Sequence, residues 1–324
     1  MPLPCVFRYP EKAMSLATLL RRRLIPLLFV TLLVGVGVPY GCSELAYRER
    51  QWVFSIEPGN ASWFTGVPEG VRQLNLPVAD GLTGTDYLHA WWWPARRPDA
   101  PTLLYLHGTR WNLTAQVRRI ATLRQLGYSV LAIDYRGFGE SPGDVPSERS
   151  VYQDARVAWK HLQSLQPDPR KRYIYGHSLG GAVAVDLAWR IARDGDPTGD
   201  YPAAAGLIIE STFTTLADAA SAVVDTRFPL RWLMSEKFDS LDKIPDIHIP
   251  VLIVHGSDDR YVPPRFSEAL YAAARPPKRL LLIPGGTHSN SMVIGTRDYA
   301  AALRELFGGA HLSEAEKGQS STGG

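Results

Sequence analysis

The chain has 324 residues, of which 45% are hydrophobic and 21% are charged, and its formal net charge is +3. This length suits one large α/β domain, and this balance of residue types is typical of a folded globular protein. Part of the positive charge lies in Arg21, Arg22 and Arg23, so the rest of the chain is close to neutral and does not indicate nucleic-acid binding. The two cysteines, Cys5 and Cys42, both lie near the N-terminus, which excludes disulfides, a cysteine-rich zinc site and a catalytic cysteine from the remainder.

Residues 24–42 form an uncharged, largely apolar run that follows the three arginines. A helix needs about 17–25 such residues to cross a bilayer, and the positive-inside rule places residues 1–23 in the cytoplasm. We therefore predict a single-pass signal anchor with an extracytoplasmic domain behind it. Two alternatives stay open: a cleaved signal, which would give a secreted protein, and lipidation of Cys42, for which Tyr40 is an unfavourable neighbour. Met14 is a second candidate for the first residue of the protein.

Residues 43–70 are predicted to be a linker and lead-in, and the domain itself to cover residues 71–308. Continuous apolar runs are typical of strands buried on both faces of a parallel sheet, and their alternation with amphipathic stretches predicts a doubly wound, mostly parallel sheet. The predicted strands are two antiparallel ones at 73–77 and 87–93, then 102–106, 129–133, 173–175, 206–209, 251–254 and 279–283. The predicted helices are 114–126, 150–165, 179–193, 264–274 and 296–306.

A short helical cap over about residues 211–243 and a polar tail over residues 309–324 complete the predicted organisation. The cap segment is long enough for about two helices, and the tail is rich in glycine and serine, which predicts disorder. Parallel strands of a doubly wound sheet end at one common edge, where their loops can build a site. Catalytic side chains are therefore expected in the loops that follow the strands.

The strongest motif is Gly176-His177-Ser178-Leu179-Gly180, between a predicted strand and a predicted helix. This strand–turn–helix context is the one that the G-x-S-x-G nucleophile elbow requires. The turn is so tight that side chains at the two glycine positions would collide across it, and the serine adopts a strained backbone. We predict Ser178 as a nucleophile, presented at the positive end of a helix.

A serine hydroxyl needs a neutral imidazole to take its proton, and the imidazole needs a carboxylate to orient it. Of the eight histidines, His288 alone lies in a loop directly after the last predicted strand, so it is the predicted base. Asp258 and Asp259 both follow the strand at 251–254, and Glu210 ends an earlier strand. These three carboxylates are the candidate acids, and only one of the two adjacent aspartates is expected to face the base.

Acyl transfer also needs backbone donors for the oxyanion of the transition state, each worth about 10²–10³ in rate. One predicted donor is the N–H of Leu179, next to the nucleophile. The second is the N–H of Thr109, in the loop after the strand at 102–106, where Gly108 lets the backbone approach closely.

Several segments together resemble the α/β-hydrolase superfamily, in its serine-aminopeptidase-like and monoacylglycerol-lipase-like branch and especially its single-span membrane-anchored members. The resemblance covers roughly residues 70–308, and the order of nucleophile, acid and base along the chain is also that of α/β hydrolases. The segments that carry it are His107-Gly108, D-Y-R-G-F-G-E-S at 134–141, E-S-T-F at 210–213, H-G-S-D-D-R-Y-V-P at 255–263 and G-T-H at 286–288.

The resemblance implies an α/β-hydrolase fold and a Ser178–Asp259–His288 triad, because the acid position of the H-G-x-x-D-x-x-V-P pattern falls on Asp259. Related proteins often carry asparagine where this chain has Thr109, and the cap segment is too short for a large lid domain. The candidates for substrate contact are His107 of the oxyanion loop and five apolar cap residues, for which core packing is an equal alternative. Those five are Phe228, Leu230, Trp232, Leu233 and Met234.

The function that these features favour is a serine hydrolase acting on a lipid or another small carboxylic ester. The alternatives are an aminopeptidase or amidase of the same fold, which needs an acidic pocket for the substrate amine, and a non-catalytic, membrane-tethered binding protein. We expect no cofactor and no metal, since neither H-E-x-x-H nor a paired carboxylate cluster is present. The sequence leaves the natural substrate, the acyl chain length, the head group and the oligomeric state open.

Overall fold

The computed structural model describes residues 38–78, 86–193, 204–224 and 230–308. The chain divides into two compact units after Arg48, and the second unit begins at Glu49. Of the predicted membrane segment, residues 24–37 lie outside the described residues, as does the predicted tail. Among the helices that are described, none combines the length and the apolar composition needed to cross a membrane.

The first described element is the helix α1 (Val38–Phe54), which occupies part of the region predicted to be a linker. The prediction missed this helix because its polar and apolar residues follow no clear 3.6-residue period. Its last residue, Phe54, is completely buried and packs edge to face against Phe138 and Phe238, with ring centroids 6.2 Å apart in both pairs. The end of α1 is thereby fixed to the core of the second unit.

In the part of the chain that the structure describes, eight strands form one mixed sheet, in the order β1-β2-β4-β3-β5-β6-β7-β8. The strands are β1 (Arg72–Pro77), β2 (Tyr87–Trp93), β3 (Thr102–Leu106), β4 (Ser129–Ile133), β5 (Arg172–His177), β6 (Gly206–Glu210), β7 (Val251–Gly256) and β8 (Lys278–Ile283). Only β1 with β2 and β2 with β4 pair in antiparallel fashion, and the other neighbours are parallel. Each predicted strand is present to within two residues at either end, so the mostly parallel sheet is confirmed.

Helices cover both faces of the sheet. After α1 they are α2 (Val117–Gln125), α3 (Glu148–Leu165), α4 (Leu179–Arg193), α5 (Leu216–Val223), α6 (Arg265–Ala273), α7 (Ser291–Ile294) and α8 (Thr296–Phe307). Side chains of β3 alternate between two cores: Leu104 joins the one built with α3, α4 and α6, and Leu103 joins the one built with α2 and α8. This alternation follows from the two-residue period of a strand and explains the continuous apolar runs of the sequence.

The cap is small. Its described residues form α5 and a short 3₁₀ turn, Leu230–Trp232, in place of the two helices expected, and residues 225–229 lie outside the description. The carboxylate of Glu49 accepts hydrogen bonds from the backbone N–H groups of Ser235 and Glu236, at 2.8 and 2.9 Å. The carboxylate of Glu236 in turn accepts from the backbone N–H of Glu148. Carboxylates therefore join the end of the cap segment to α1 and to the start of α3.

Candidate active site

The turn between β5 and α4 has the geometry that the sequence predicted. Ser178 has a backbone φ of +56°, in the left-handed region that side chains rarely adopt. A Cβ at Gly176 would collide with the carbonyl oxygen of Gly180, and a Cβ at Gly180 would collide with that of Leu106. Both glycines are thus sterically required, and the turn presents Ser178 at the N-terminus of α4.

An imidazole–carboxylate pair lies at the same edge of the sheet. Nδ1 of His288 is 2.7 Å from Oδ2 of Asp259, while the other oxygen of this carboxylate accepts hydrogen bonds from the N–H groups of Tyr261 and Val262 at 3.0 and 2.9 Å. Asp258 is exposed, and its carboxylate accepts from the hydroxyl of Ser257. The structure therefore brings Asp259, and not its neighbour, to the predicted base.

The environment of Asp259 keeps it ionised. Burial by itself raises the pKa of this carboxyl, but hydrogen bonds with His255 and His288 outweigh burial and hold its pKa well below the usual value. A negative Asp259 accepts the Nδ1–H of His288, which fixes the tautomer with a free Nε2. That nitrogen is the atom that could take a proton from a hydroxyl.

Ser178 and His288 face one cavity. The hydrogen bonds of the described residues do not include one between Ser178 Oγ and the His288 ring. In free hydrolases this contact is often long and tightens when substrate binds. The residue next to the serine, His177, bridges the two loops: its Nε2 lies 2.8 Å from the carbonyl oxygen of His288, and the two rings are 4.9 Å apart.

Two backbone N–H groups beside Ser178 have no partner. Among the described residues, neither Thr109 N–H nor Leu179 N–H donates a hydrogen bond, and both residues line the cavity. The loop that carries Thr109 comes very close to the nucleophile, since a Cβ at Gly108 would lie 3.0 Å from the Cβ of Ser178. Free donors at this place could hold an oxyanion. Arg110, which follows Thr109 in the chain, has a φ of +76° and donates its N–H to the carbonyl of Phe54 at 2.9 Å. This hydrogen bond anchors the loop to α1.

The D-x-R-G-x-G-x-S segment supports this oxyanion loop from below. Oδ1 of the buried Asp134 accepts the N–H of Leu113 at 2.8 Å, and its backbone carbonyl accepts the hydroxyl of Ser141 at 2.7 Å. Gly139 is required because a Cβ there would collide with the Asp134 carboxylate. Arg136 donates to Asp154 of α3 at 2.7 Å. The distinctive motif thus holds loops in place and does not line the cavity.

A buried charge network that the sequence did not reveal lies behind the base. Arg119 of α2 donates to the carboxylate of Glu210 at 2.5 Å and to the carbonyl of Ser289 at 3.2 Å. Tyr175 donates to the same carboxylate at 2.6 Å. Glu210, the third candidate for the acid, therefore binds Arg119 and Tyr175 instead of His288. Burial lowers the pKa of His177, and the nearby charge of Arg119 lowers it further, so this imidazole is neutral.

The cavity at the site has a volume of about 1140 Å³ and is mostly apolar. The apolar side chains that line it include Trp52, Val53, Trp63, Phe64, Trp111, Val117, Leu179, Phe213, Leu216, Ala219, Val223, Tyr261, Val262, Met292 and Val293. Among the described residues its lining includes three arginines, Arg110, Arg118 and Arg119, and no aspartate or glutamate. The cavity therefore suits an apolar group and offers no carboxylate to a cationic one.

The residues predicted to contact substrate are mostly placed elsewhere, and this part of the prediction is corrected. His107 is completely buried between Tyr135 and Phe138, at ring distances of 4.6 and 5.0 Å, and does not reach the cavity. Three cap candidates, Leu230, Trp232 and Met234, do not line it either, and Phe228 lies outside the described residues. Trp232 is 86% exposed, and Met234 packs against the core.

The lining comes instead from Trp52 and Val53 of α1 and from the loop that carries Trp63 and Phe64. No local pattern singles out these lead-in residues, because only the folded chain brings α1 next to the elbow. The one available signal was composition, since four tryptophan and phenylalanine residues fall within residues 52–64 in a segment that was predicted to be a linker.

The eight-stranded sheet, with its elbow after β5 and its acid and base loops after β7 and β8, defines an α/β hydrolase. The family model described as serine aminopeptidase, S33, matches residues 97–241 and 219–291, and the chain belongs to this family. The match begins after the predicted membrane segment. It confirms the family and fold that the sequence motifs indicated.

Related proteins agree with this assignment. An uncharacterized protein of Mycobacterium tuberculosis is 32% identical over 292 residues, which is 90% of this chain and 97% of that protein. A lysophosphatidylserine lipase of Danio rerio is 34% identical over 204 residues, which is 59% of this chain and 51% of the lipase. An esterase of Pyrococcus furiosus has a TM-score of 0.59 at 18% identity and covers 78% of this chain and 98% of its own. At this identity the solved structure shows the fold alone.

Proposed function

We propose that this protein is a serine hydrolase that cleaves carboxylic esters through an acyl-enzyme intermediate. Ser178 Oγ attacks the ester carbonyl while Nε2 of His288 takes its proton, and Asp259 stabilises the imidazolium that forms. The N–H groups of Thr109 and Leu179 hold the oxyanion. His288 then gives its proton to the leaving alcohol, and a water molecule, activated by the same imidazole, releases the acid and restores Ser178.

One observation carries the choice of an ester with an apolar acyl chain: the cavity around Ser178 is lined by apolar side chains and, within the described residues, by no carboxylate. An acyl chain gains about 25 cal/mol for each Å² of surface that it buries there. The relative that is a lysophosphatidylserine lipase cleaves a lipid ester, according to its name, and this supports a lipid as the substrate class.

The second candidate is an aminopeptidase, which the description of the family favours. Such an enzyme must bind the free ammonium group of its substrate, and a buried ammonium needs a negative partner. Within the described residues, the cavity lining contains no aspartate or glutamate that could serve as this partner. We therefore place the ester reaction first.

We further propose that residues 24–42 anchor the protein as a single membrane span, with the hydrolase domain on the extracytoplasmic side. The support is the apolar run and the arginines before it. Extraction of membranes with alkaline carbonate should leave the full-length chain in the pellet, and a protease added outside sealed cells should digest the domain. A shortened chain in the soluble fraction would instead indicate a cleaved signal.

A fluorophosphonate probe tests the serine hydrolase. The wild type should be labelled, Ser178→Ala should not, and Ser289→Ala, which removes another hydroxyl at the cavity, should be labelled like the wild type. A folded wild type that resists the probe would favour the non-catalytic binding protein.

A comparison of p-nitrophenyl esters with aminoacyl-anilides then separates the two enzyme reactions. We expect turnover of the esters, with a preference for longer acyl chains that fill the cavity. Turnover of the anilides alone would establish the aminopeptidase and refute the esterase.

A further inference from the structure

Several apolar side chains of the cavity lining are also exposed to solvent. We call Trp52, Trp63, Val223, Tyr261 and Val293 the mouth rim. All five line the cavity, and each is nevertheless open to solvent, from 42% for Val293 to 72% for Tyr261. The rim continues outward, because Val224 and Ile294, which do not line the cavity, are 53% and 51% exposed.

The rim is assembled from separate parts of the chain, so it is no accident of one local sequence. Its members come from α1, the loop before β1, α5, the loop after β7 and α7. Single exposed apolar residues are normal on a soluble protein, but a contiguous group around a cavity marks a surface that another phase or molecule covers. Contact with water is unfavourable for the mouth rim, since each fully exposed side chain of this size forgoes about 1.5–3 kcal/mol of burial free energy.

Its composition and its position in the chain favour a lipid bilayer as that neighbour. Tryptophan and tyrosine are the residues enriched where a protein meets the lipid headgroups, and the rim contains two of the first and one of the second. Residues 43–51 alone separate Trp52 from the proposed membrane span. Even a fully extended chain crosses only about 35 Å in that length, so the anchor keeps the rim near the membrane.

We propose that the mouth rim docks on the bilayer surface, so that the acyl chain of the substrate passes directly from the lipid phase into the cavity. This inference rests on the proposed function, because it assumes that the cavity receives an acyl ester. It adds the route by which the ester arrives: the acyl chain never has to cross water, and only molecules that partition into the membrane reach Ser178 efficiently.

The test compares two esters with one leaving group, using the full-length protein in phosphatidylcholine vesicles. p-Nitrophenyl butyrate is soluble and does not need the docked state, whereas p-nitrophenyl palmitate is held in the bilayer. The variant Val224→Asp/Ile294→Asp places two charges beside the rim and leaves the cavity lining intact. We expect its kcat/KM to fall about tenfold on the palmitate and to stay within about twofold of the wild type on the butyrate.

The control variant also replaces an exposed apolar residue with aspartate, but at a position outside the mouth rim. Leu282 of the edge strand β8 is also exposed, and Leu282→Asp should leave both rates unchanged. The docking is overturned if the control and the rim variant lose the same kcat/KM on the palmitate. It is also overturned if the rim variant loses no more kcat/KM on the palmitate than on the butyrate. A cross-link between two copies through Ile294→Cys would do so as well, because it would identify the rim as a protein interface.

A second measurement does not depend on catalysis and therefore separates failure of the docking from failure of the proposed function. With Cys5 and Cys42 changed to serine, a fluorescent label on Ile294→Cys should be quenched by nitroxide-labelled lipids, and the same label on Leu282→Cys should not. Quenching without hydrolysis of either ester would retain the docking and refute the esterase. Hydrolysis of both esters without quenching would do the reverse.

Discussion

A serine hydroxyl becomes reactive only when the imidazole beside it is held in one tautomer. The sequence predicts His288 as that imidazole, and the structure shows a 2.7 Å contact between its Nδ1 and the carboxylate of Asp259. The carboxylate itself is held by two backbone N–H groups and stays ionised. His288 and Asp259 therefore form an oriented imidazole–carboxylate pair. This geometry predicts how the protein responds when either residue is replaced.

Replacement of the proposed base should abolish catalysis and leave the fold intact. We expect His288→Ala to lower kcat on p-nitrophenyl butyrate by about three to four orders of magnitude, because it removes the imidazole that Asp259 orients. His248→Ala, at an exposed position, is the matched control. Circular dichroism checks that both variants fold, and a loss below about tenfold would place the base elsewhere.

The buried pair of Arg119 and Glu210 makes a separate prediction about stability. Arg119→Met leaves a carboxylate buried without its partner, and we expect the free energy of unfolding to fall by about 3–5 kcal/mol. Adding Glu210→Gln removes the orphan charge and should restore more than half of that loss. Urea unfolding at neutral pH measures both. If the double variant is as unstable as the sum of two single variants, the two side chains do not act as a pair.

At the scale of elements, one small cap segment is fastened to two helices by carboxylates. Glu49 of α1 accepts the backbone N–H of Glu236, and the carboxylate of Glu236 accepts the backbone N–H of Glu148 at the start of α3. Burial raises the pKa of Glu236, the hydrogen bond from Glu148 N–H opposes this, and the charges of Glu148 and Glu49 raise the pKa further. The junction is thus positioned by hydrogen bonds at some electrostatic cost.

Because of this electrostatic cost, the free energy of unfolding depends on pH. Because the pKa of Glu236 is higher in the folded state than the unfolded value of about 4.3, the folded state binds more protons above about pH 4, and the free energy of unfolding falls as pH rises. Glu236→Gln keeps an acceptor oxygen without the charge. We expect it to raise the free energy of unfolding at neutral pH and to have little effect near pH 4, as thermal melts at the two pH values would show. A variant that destabilises at neutral pH would contradict this.

At the scale of the whole molecule, the cavity forms where many separate parts of the chain meet. Its lining comes from α1 and the loop before β1, from α2, α5 and α7, and from the loops after β3, β5, β6, β7 and β8, with Ser178 after β5 and His288 after β8. The volume of about 1140 Å³ gives room for a long acyl chain, and filling it should therefore change selectivity more than chemistry.

Ala219 of α5 lines the cavity, and Ala219→Trp would occupy part of its volume. We expect kcat/KM for p-nitrophenyl palmitate to fall at least about tenfold relative to that for p-nitrophenyl acetate, because the long chain loses its space and the short one does not. Ala219→Ser, which adds a single atom, is the control and should keep the wild-type ratio. An unchanged ratio in the tryptophan variant would mean that the acyl chain lies elsewhere.

The sequence by itself determined the sheet, the elbow and the positions of Ser178, Asp259 and His288 in loops at one edge. The reason is that these features depend on local patterns: apolar runs, obligatory glycines and motif residues at short fixed spacing. The oxyanion donors, Thr109 and Leu179, were predicted from chain position; among the described residues their N–H groups donate no hydrogen bond, and their role stays a prediction.

Only the tertiary structure decided what surrounds that site. His107 looked available from its motif but is buried, and Trp232 looked suited to an acyl site but lies outside the cavity. Trp52 and Trp63, in a segment without a clear period, line the cavity instead. Packing between residues far apart in the chain is a property of the whole fold, and no local spacing encodes which distant side chains will share one cavity with the nucleophile.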